Sequence, residues 1–86
     1  MKNIHMIHYY EIKENGKWVL DTSEDGEVRF IDFETYCKIT SQQTVTFFKS
    51  LGGKERLTYK NGKVVRLIST SPDRTKRSIY MFLHLV

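Results

Sequence analysis

The chain of 86 residues is 40% hydrophobic and 13% aromatic, which excludes a disordered chain and predicts one domain, residues 1–86, with a modest core. Its net charge of +4 is unevenly divided, because residues 1–48 carry −3 and residues 49–77 carry +7. Only the second half is therefore suited to an anionic partner. A single cysteine excludes an internal disulfide, and no apolar run predicts a signal peptide or a membrane span, so we expect a cytoplasmic protein with no membrane partner.

The N-terminal third predicts β-strands. Residues 3–13 alternate between two faces, as a strand requires. Asn15-Gly16 then predicts a type I′ turn, because both residues tolerate the positive φ angles of that turn. Residues 17–22 return as a second strand, and residues 27–31 form a third short strand.

The middle of the chain, residues 32–51, is predicted to be helical. Asp32 can cap its start, and Gly52-Gly53 can end it. Side chains at spacings of four and three residues define one helical face, which we expect to pack against the sheet. They are Phe33, Cys37, Thr40, Thr44, Phe47 and Leu51. The weakly helical residues 39–41 leave two possibilities open, one kinked helix or two short helices.

The last third is predicted to return to strands. Asn61-Gly62 joins residues 56–60 to residues 63–70 in a second tight hairpin. Residues 77–86 are apolar on both faces, which is typical of a central strand. The sequence therefore predicts an α+β fold, in the order β-β-(β)-α-β-β-β. It is a mostly antiparallel sheet of about five strands with the helical segment packed on one face.

The chemistry-bearing residues form no recognisable catalytic or metal motif. His5 and His8 would point to opposite faces of a strand, and no acidic residue stands at ligand spacing, so we expect no metal and no other cofactor. Cys37 falls on the apolar helical face, where a buried thiol is more common than a nucleophile. We therefore expect no catalytic residues and a protein that is not an enzyme.

Basic residues of the second half are predicted to form the working surface. Eight lie at the hairpin, its approach and the following turn: Lys54, Arg56, Lys60, Lys63, Arg66, Arg74, Lys76 and Arg77. In the register of a two-residue turn, Arg66 would lie opposite Leu57, on the face of Tyr59 and Val64. Cations at a hairpin tip can reach phosphates, and an aromatic ring can stack on a base. We expect contact with nucleic acid; the alternatives are a protein partner, or charges that only keep the domain soluble.

A sharper alternative is a winged helix-turn-helix. Helices at residues 32–38 and 42–51, followed by a basic hairpin at residues 56–68, have the order of that motif. The second helix would expose side chains able to read base edges. These are Gln42, Gln43, Thr46 and Lys49. The short first helix and the lack of a third helix count against this alternative.

Two segments of the chain carry a resemblance to known sequences. They are TSQQTVTFFKSLGG at residues 40–53 and STSPDRTKR at residues 69–77. The region that contains them, residues 33–82, resembles short uncharacterised proteins of phages and mobile elements from Gram-positive bacteria. The resemblance brings no functional residues with it. It implies a bacterial host cell and a non-enzymatic role, either regulation of phage genes or inhibition of a host protein such as a defence nuclease. An anti-CRISPR-like or other anti-defence protein is therefore the alternative function.

Overall fold

The computed structural model describes residues 3–40 and 53–84. Six strands and one helix lie in these two ranges. In chain order they are β1 (Ile4–Glu14), β2 (Lys17–Leu20), β3 (Glu27–Ile31), α1 (Phe33–Thr40), β4 (Lys54–Lys60), β5 (Lys63–Thr70) and β6 (Lys76–His84). This order confirms the predicted α+β class, with six strands in place of about five.

All six strands form one antiparallel sheet in the order β2-β1-β6-β5-β4, and β3 also pairs with β1. The long strand β1 pairs with β3 along its first half and with β2 along its second half. On its other edge, β1 pairs with β6, which in turn pairs with β5. The apolar strand β6 therefore lies in the middle of the sheet, as its sequence predicts.

Two tight turns close the β1–β2 and β4–β5 hairpins. Asn15 and Gly16 have φ angles of 51° and 77°, and Asn61 and Gly62 have φ angles of 53° and 75°. Two consecutive residues in the left-handed region are the signature of a type I′ turn. The prediction made from the two Asn-Gly pairs is confirmed.

The β4–β5 hairpin contains a bulge that the sequence does not reveal. Tyr59 pairs with Val64, whereas Thr58 pairs with Arg66, so the register shifts by one residue of β5 between these two pairs. The prediction that Arg66 lies opposite Leu57 is therefore wrong. Because a bulge inserts one unpaired residue into one strand, Arg66 is placed on the face opposite to Tyr59 and Val64.

The core cluster lies on one side of the sheet, beneath α1, whereas the fully buried Ile79 points to the other face by register. Tyr36 and Ile39 point into it from the helix. The buried strand residues of this core are Ile4, Met6, Ile31, Val64, Leu67 and Phe82. At the start of the helix, the backbone N–H of Thr35 donates to Asp32 Oδ1 at 2.8 Å, which confirms the predicted cap.

The predicted apolar face of the helix is wrong within α1. Phe33 is 63% exposed and Cys37 is also exposed, whereas Tyr36 is buried. The Tyr36 hydroxyl donates a hydrogen bond to the carbonyl oxygen of Val64 at 2.9 Å, and its ring makes an edge contact with Phe82. A ring that fills the core and also satisfies a buried carbonyl therefore determines which face of this short helix is buried.

Several predictions fall outside the described residues. They concern the helix over residues 41–51, its end at Gly52, and the side chains of Thr44, Phe47, Leu51, Gln42, Gln43, Thr46 and Lys49.

The hairpin of the winged alternative is described, and it is not a separate wing. Its second strand pairs with β6, so the hairpin belongs to the six-stranded sheet.

Substitution of Gly62 by valine tests the second turn. No described atom lies within 4 Å of the position that a Cβ would take, so the backbone conformation alone opposes a larger residue. A β-branched residue resists a φ of 75°. We expect Gly62→Val to lose about 1–3 kcal/mol of unfolding free energy in urea denaturation. Lys60→Val, on the preceding strand, is the matched control and should stay close to wild type; equal midpoints for all three proteins would contradict the turn.

Candidate functional site

The sheet has a second face, opposite to α1, which we call the open face. Directly paired residues share a face, and successive residues along a strand alternate between faces. The pairs Val28–Ile7, Ile7–Met81 and Met81–Arg66 therefore place these four side chains in one row across β3, β1, β6 and β5. Val28 is 64% exposed, so described residues leave this row accessible to a partner.

An apolar patch occupies one end of the open face. It is formed by Ile7, Val28, Phe30, Met81 and Leu83, of which all but the half-buried Ile7 are exposed. Scattered apolar side chains are normal on a surface, but a contiguous group marks a contact area. β6 is therefore apolar on both faces because one face packs into the helix-side core and the other carries this patch.

A groove of about 430 Å³ runs beside the patch, across β1, β6, β5 and β4. Its apolar lining includes Ile7, Val65, Met81 and Leu83. Its polar lining is Thr58, Lys60 and Arg66. The groove therefore has an apolar floor and a basic wall.

The predicted cations divide between the two faces of the sheet. Register places Arg56, Lys60, Lys63, Arg66 and Arg77 on the open face. Lys76 pairs with Ile12 and lies on the helix side, so it does not join them. Lys54 begins β4, where it pairs with Thr70. Arg74 lies in the turn before β6.

A second hollow, of about 210 Å³, lies at the other end of the open face and contains a tryptophan that sequence reasoning missed. Trp18 has Arg77 Cζ at 4.0 Å from its ring centroid and Lys13 Nζ at 5.2 Å, which are cation–π contacts. Arg77 Nη1 also lies 3.7 Å from Glu11 Oε1. The two-residue turn sets the Lys13–Trp18 pair, so the register of the hairpin could have revealed it.

Arg74 lines the same hollow and is held there by the turn around Asp73. Asp73 Oδ1 accepts hydrogen bonds from Ser71 Oγ at 2.7 Å, Thr75 Oγ1 at 2.7 Å and the backbone N–H of Thr75 at 3.1 Å. These bonds favour the carboxylate and hold the pKa of Asp73 below its ordinary value. Arg74 itself has a φ of 60°, a conformation that such a network can stabilise.

On the helix side, a serine, a histidine and a carboxylate lie near one another. His8 Nε2 is 3.0 Å from Ser78 Oγ, and Glu27 is the β3 partner of His8. Glu27 instead forms an ion pair with Arg29, and in the described part of the chain it makes no hydrogen bond to His8. The His8 ring stacks on Tyr80, with centroids 3.9 Å apart. The arrangement is therefore a packed polar cluster without the oriented base that nucleophilic catalysis requires.

Comparisons with known proteins do not extend this description. No protein-family model, curated protein or solved structure matches the chain. Within residues 3–40 and 53–84, no three His, Cys, Asp or Glu side chains are grouped so that they could hold a metal ion. No helix of that part of the chain is long and apolar enough to cross a membrane.

The environment of His8 predicts pH-dependent stability. Burial lowers its pKa in the folded protein, and nearby Glu27 opposes this shift only in part. The unfolded chain therefore binds the proton more tightly, so stability is full above the ordinary value of about 6.5 and falls as the pH drops through the lower folded-state pKa. We expect Tm to fall between about pH 7.5 and pH 5, and to fall less in His8→Gln. Equal slopes for the two proteins would contradict this assignment.

Proposed function

We propose that the chain is a small non-enzymatic binding protein that contacts nucleic acid through the cations of the open face. The observation that carries this proposal is the strand register. It gathers Arg56, Lys60, Lys63, Arg66 and Arg77 on the face that α1 does not cover. Phosphate contacts by several cations provide affinity without requiring a sequence-specific motif.

The availability of these charges supports the proposal. Among the described residues, Arg56, Lys60, Lys63 and Arg66 form no ion pair, so no acid in that part of the chain neutralises their charge. Trp18 adds an aromatic ring beside Arg77 at the far end of the same face. A basic surface with an aromatic ring is suited to single strands, whose bases can stack, as well as to duplex phosphates.

The proposed setting comes from the sequence resemblance. Short proteins of phages and mobile elements act inside the bacterial host, so we propose a cytoplasmic location. A role in the control of phage genes, or against host defence, fits that setting. Binding through side-chain cations requires no cofactor and no metal.

A second candidate function is a protein-directed inhibitor or adaptor, acting on a host nucleic-acid-binding protein such as a defence nuclease. The apolar patch favours it, because Val28 is 64% and Leu83 58% exposed beside a basic border. An apolar centre with a charged rim is the usual anatomy of a protein interface. Nucleic-acid phosphates alone would leave this patch in water.

Titration of labelled single-stranded and duplex oligonucleotides at two salt concentrations tests the first function. We expect the wild type to bind both at low salt, with log K falling by about 0.9 per log unit of salt for each duplex phosphate neutralised. The triple variant Lys60/Lys63/Arg66→Ala should bind more weakly and show a shallower salt dependence.

The matched control removes three lysines elsewhere. Lys17 and Lys76 lie on the helix side of the sheet by register, and Lys38 is on α1. The variant Lys17/Lys38/Lys76→Ala therefore loses the same net charge and should keep most of the wild-type affinity. Absence of binding at low salt, or equal weakening of both triple variants, would contradict nucleic-acid binding through the open face and favour the second candidate.

A further inference from the structure

The bulge in the β4–β5 hairpin builds the groove of the open face. The register shift lies between the pairs Thr58–Arg66 and Tyr59–Val64, and it leaves Val65 as the extra residue of β5. Val65 and Arg66 then both line the groove, the first half-buried and the second exposed. A regular strand would send two successive residues to opposite faces. The bulge therefore places an apolar side chain and a cation side by side in one site.

The positive charge of the basic wall is not neutralised by any residue in the described part of the chain. Lys60 and Arg66 come from adjoining strands and form no ion pair with any residue that the structure describes. Among the described residues, no acidic side chain lines this groove or the neighbouring hollow of about 290 Å³, which shares Lys60, Val65 and Leu83 with it. An occupant must therefore bring negative charge to one side. A second copy of this face would instead set cation against cation.

The apolar floor of the groove determines which uncharged side chains an occupant must bring. Ile7, Val65, Met81 and Leu83 are aliphatic or thioether side chains. The aromatic residue among the described lining, Phe82, is only 4% exposed, so it offers little ring surface on which a nucleobase could stack. Such a floor takes leucine, phenylalanine or methionine side chains, which gain affinity by losing water. Met81 is flexible and polarizable, so it can fit more than one apolar anchor.

We propose that this groove docks an acidic amphipathic segment of a partner protein. Apolar anchors of the segment fill the space above Met81 and Leu83, while its carboxylates face Lys60 and Arg66. The inference rests on the second candidate function and supplies the chemistry of its partner. Met81 and Arg66 are neighbours in one row of the sheet, so anchor and carboxylate must lie close together in the segment.

Selection from a displayed library of random short peptides on the immobilised full chain tests this inference. We expect enrichment of peptides that combine large apolar residues with Asp or Glu, and depletion of Lys and Arg. One enriched peptide, synthesised with a fluorescent label, should lose at least about tenfold in affinity for Arg66→Glu and for Met81→Gln. The controls are Lys17→Glu on the helix side of the sheet and Leu20→Gln on the open face; neither residue lines the groove, and both variants should bind as the wild type does.

Charge reversal in the peptide separates a direct contact from a structural effect. A peptide in which Lys replaces the acidic residues should bind Arg66→Glu better than it binds the wild type.

No enrichment, enrichment of basic peptides, or equal losses in groove and control variants would overturn the inference. Competition by an oligonucleotide whose own binding also requires Met81 would overturn it too, because the groove would then hold nucleic acid. Salt-dependent oligonucleotide binding that persists without peptide enrichment leaves the first proposed function standing and removes only this inference.

Discussion

The rest of the structure depends on the register between β1 and β6, the two long strands at the centre of the sheet. They pair continuously from Ile4–His84 to Ile12–Lys76. Because side chains alternate with a period of two, a slip of one residue would exchange the two faces of β6 and carry Phe82 out of the core. The sequence of β6 cannot set this register alone, since it is apolar on both faces. The register must therefore come from β1, whose side chains alternate between two faces and whose pairing with β2 is set by the Asn15-Gly16 turn.

One bulge connects the core to the candidate site. On the helix side, the Val64 carbonyl accepts a hydrogen bond from the Tyr36 hydroxyl and also lies 3.3 Å from His84 Nε2. A bulge disrupts the strand ladder locally, and side-chain partners can then take the place of backbone partners. On the other side of the same strand, Val65 and Arg66 face the groove. Anchoring the helix and shaping the open face are therefore two consequences of one irregularity.

Local patterns in the sequence predict the helix and the strands of this fold, but contacts between distant residues decide which face of each element is buried. Alternation and the Asn-Gly turns predict the strands, and Asp32 predicts the start of α1. The buried face of α1 depends on the acceptor at Val64, 28 residues beyond Tyr36 in sequence. No local pattern contains that information. Charge predicts the cations and alternation separates Lys76 from Arg77, but the bulge decides the face of Arg66. The apolar patch is not evident from the sequence because β6 also supplies core residues.

The uneven distribution of charge along the chain produces an uneven distribution of charge between the two faces of the sheet. Among the described strand residues, Glu11 is the one acid that register places on the open face, and it already contacts Arg77. Such a face attracts phosphate and carboxylate groups alike, so charge alone cannot select between nucleic acid and an acidic protein. The apolar patch makes the distinction, because an amphipathic segment can satisfy the cations and also exclude water from Met81 and Leu83, whereas duplex phosphates satisfy only the cations. The two uses of the open face therefore share Lys60 and Arg66, but only the amphipathic segment requires Met81 and Leu83, so substitutions in the apolar floor separate them.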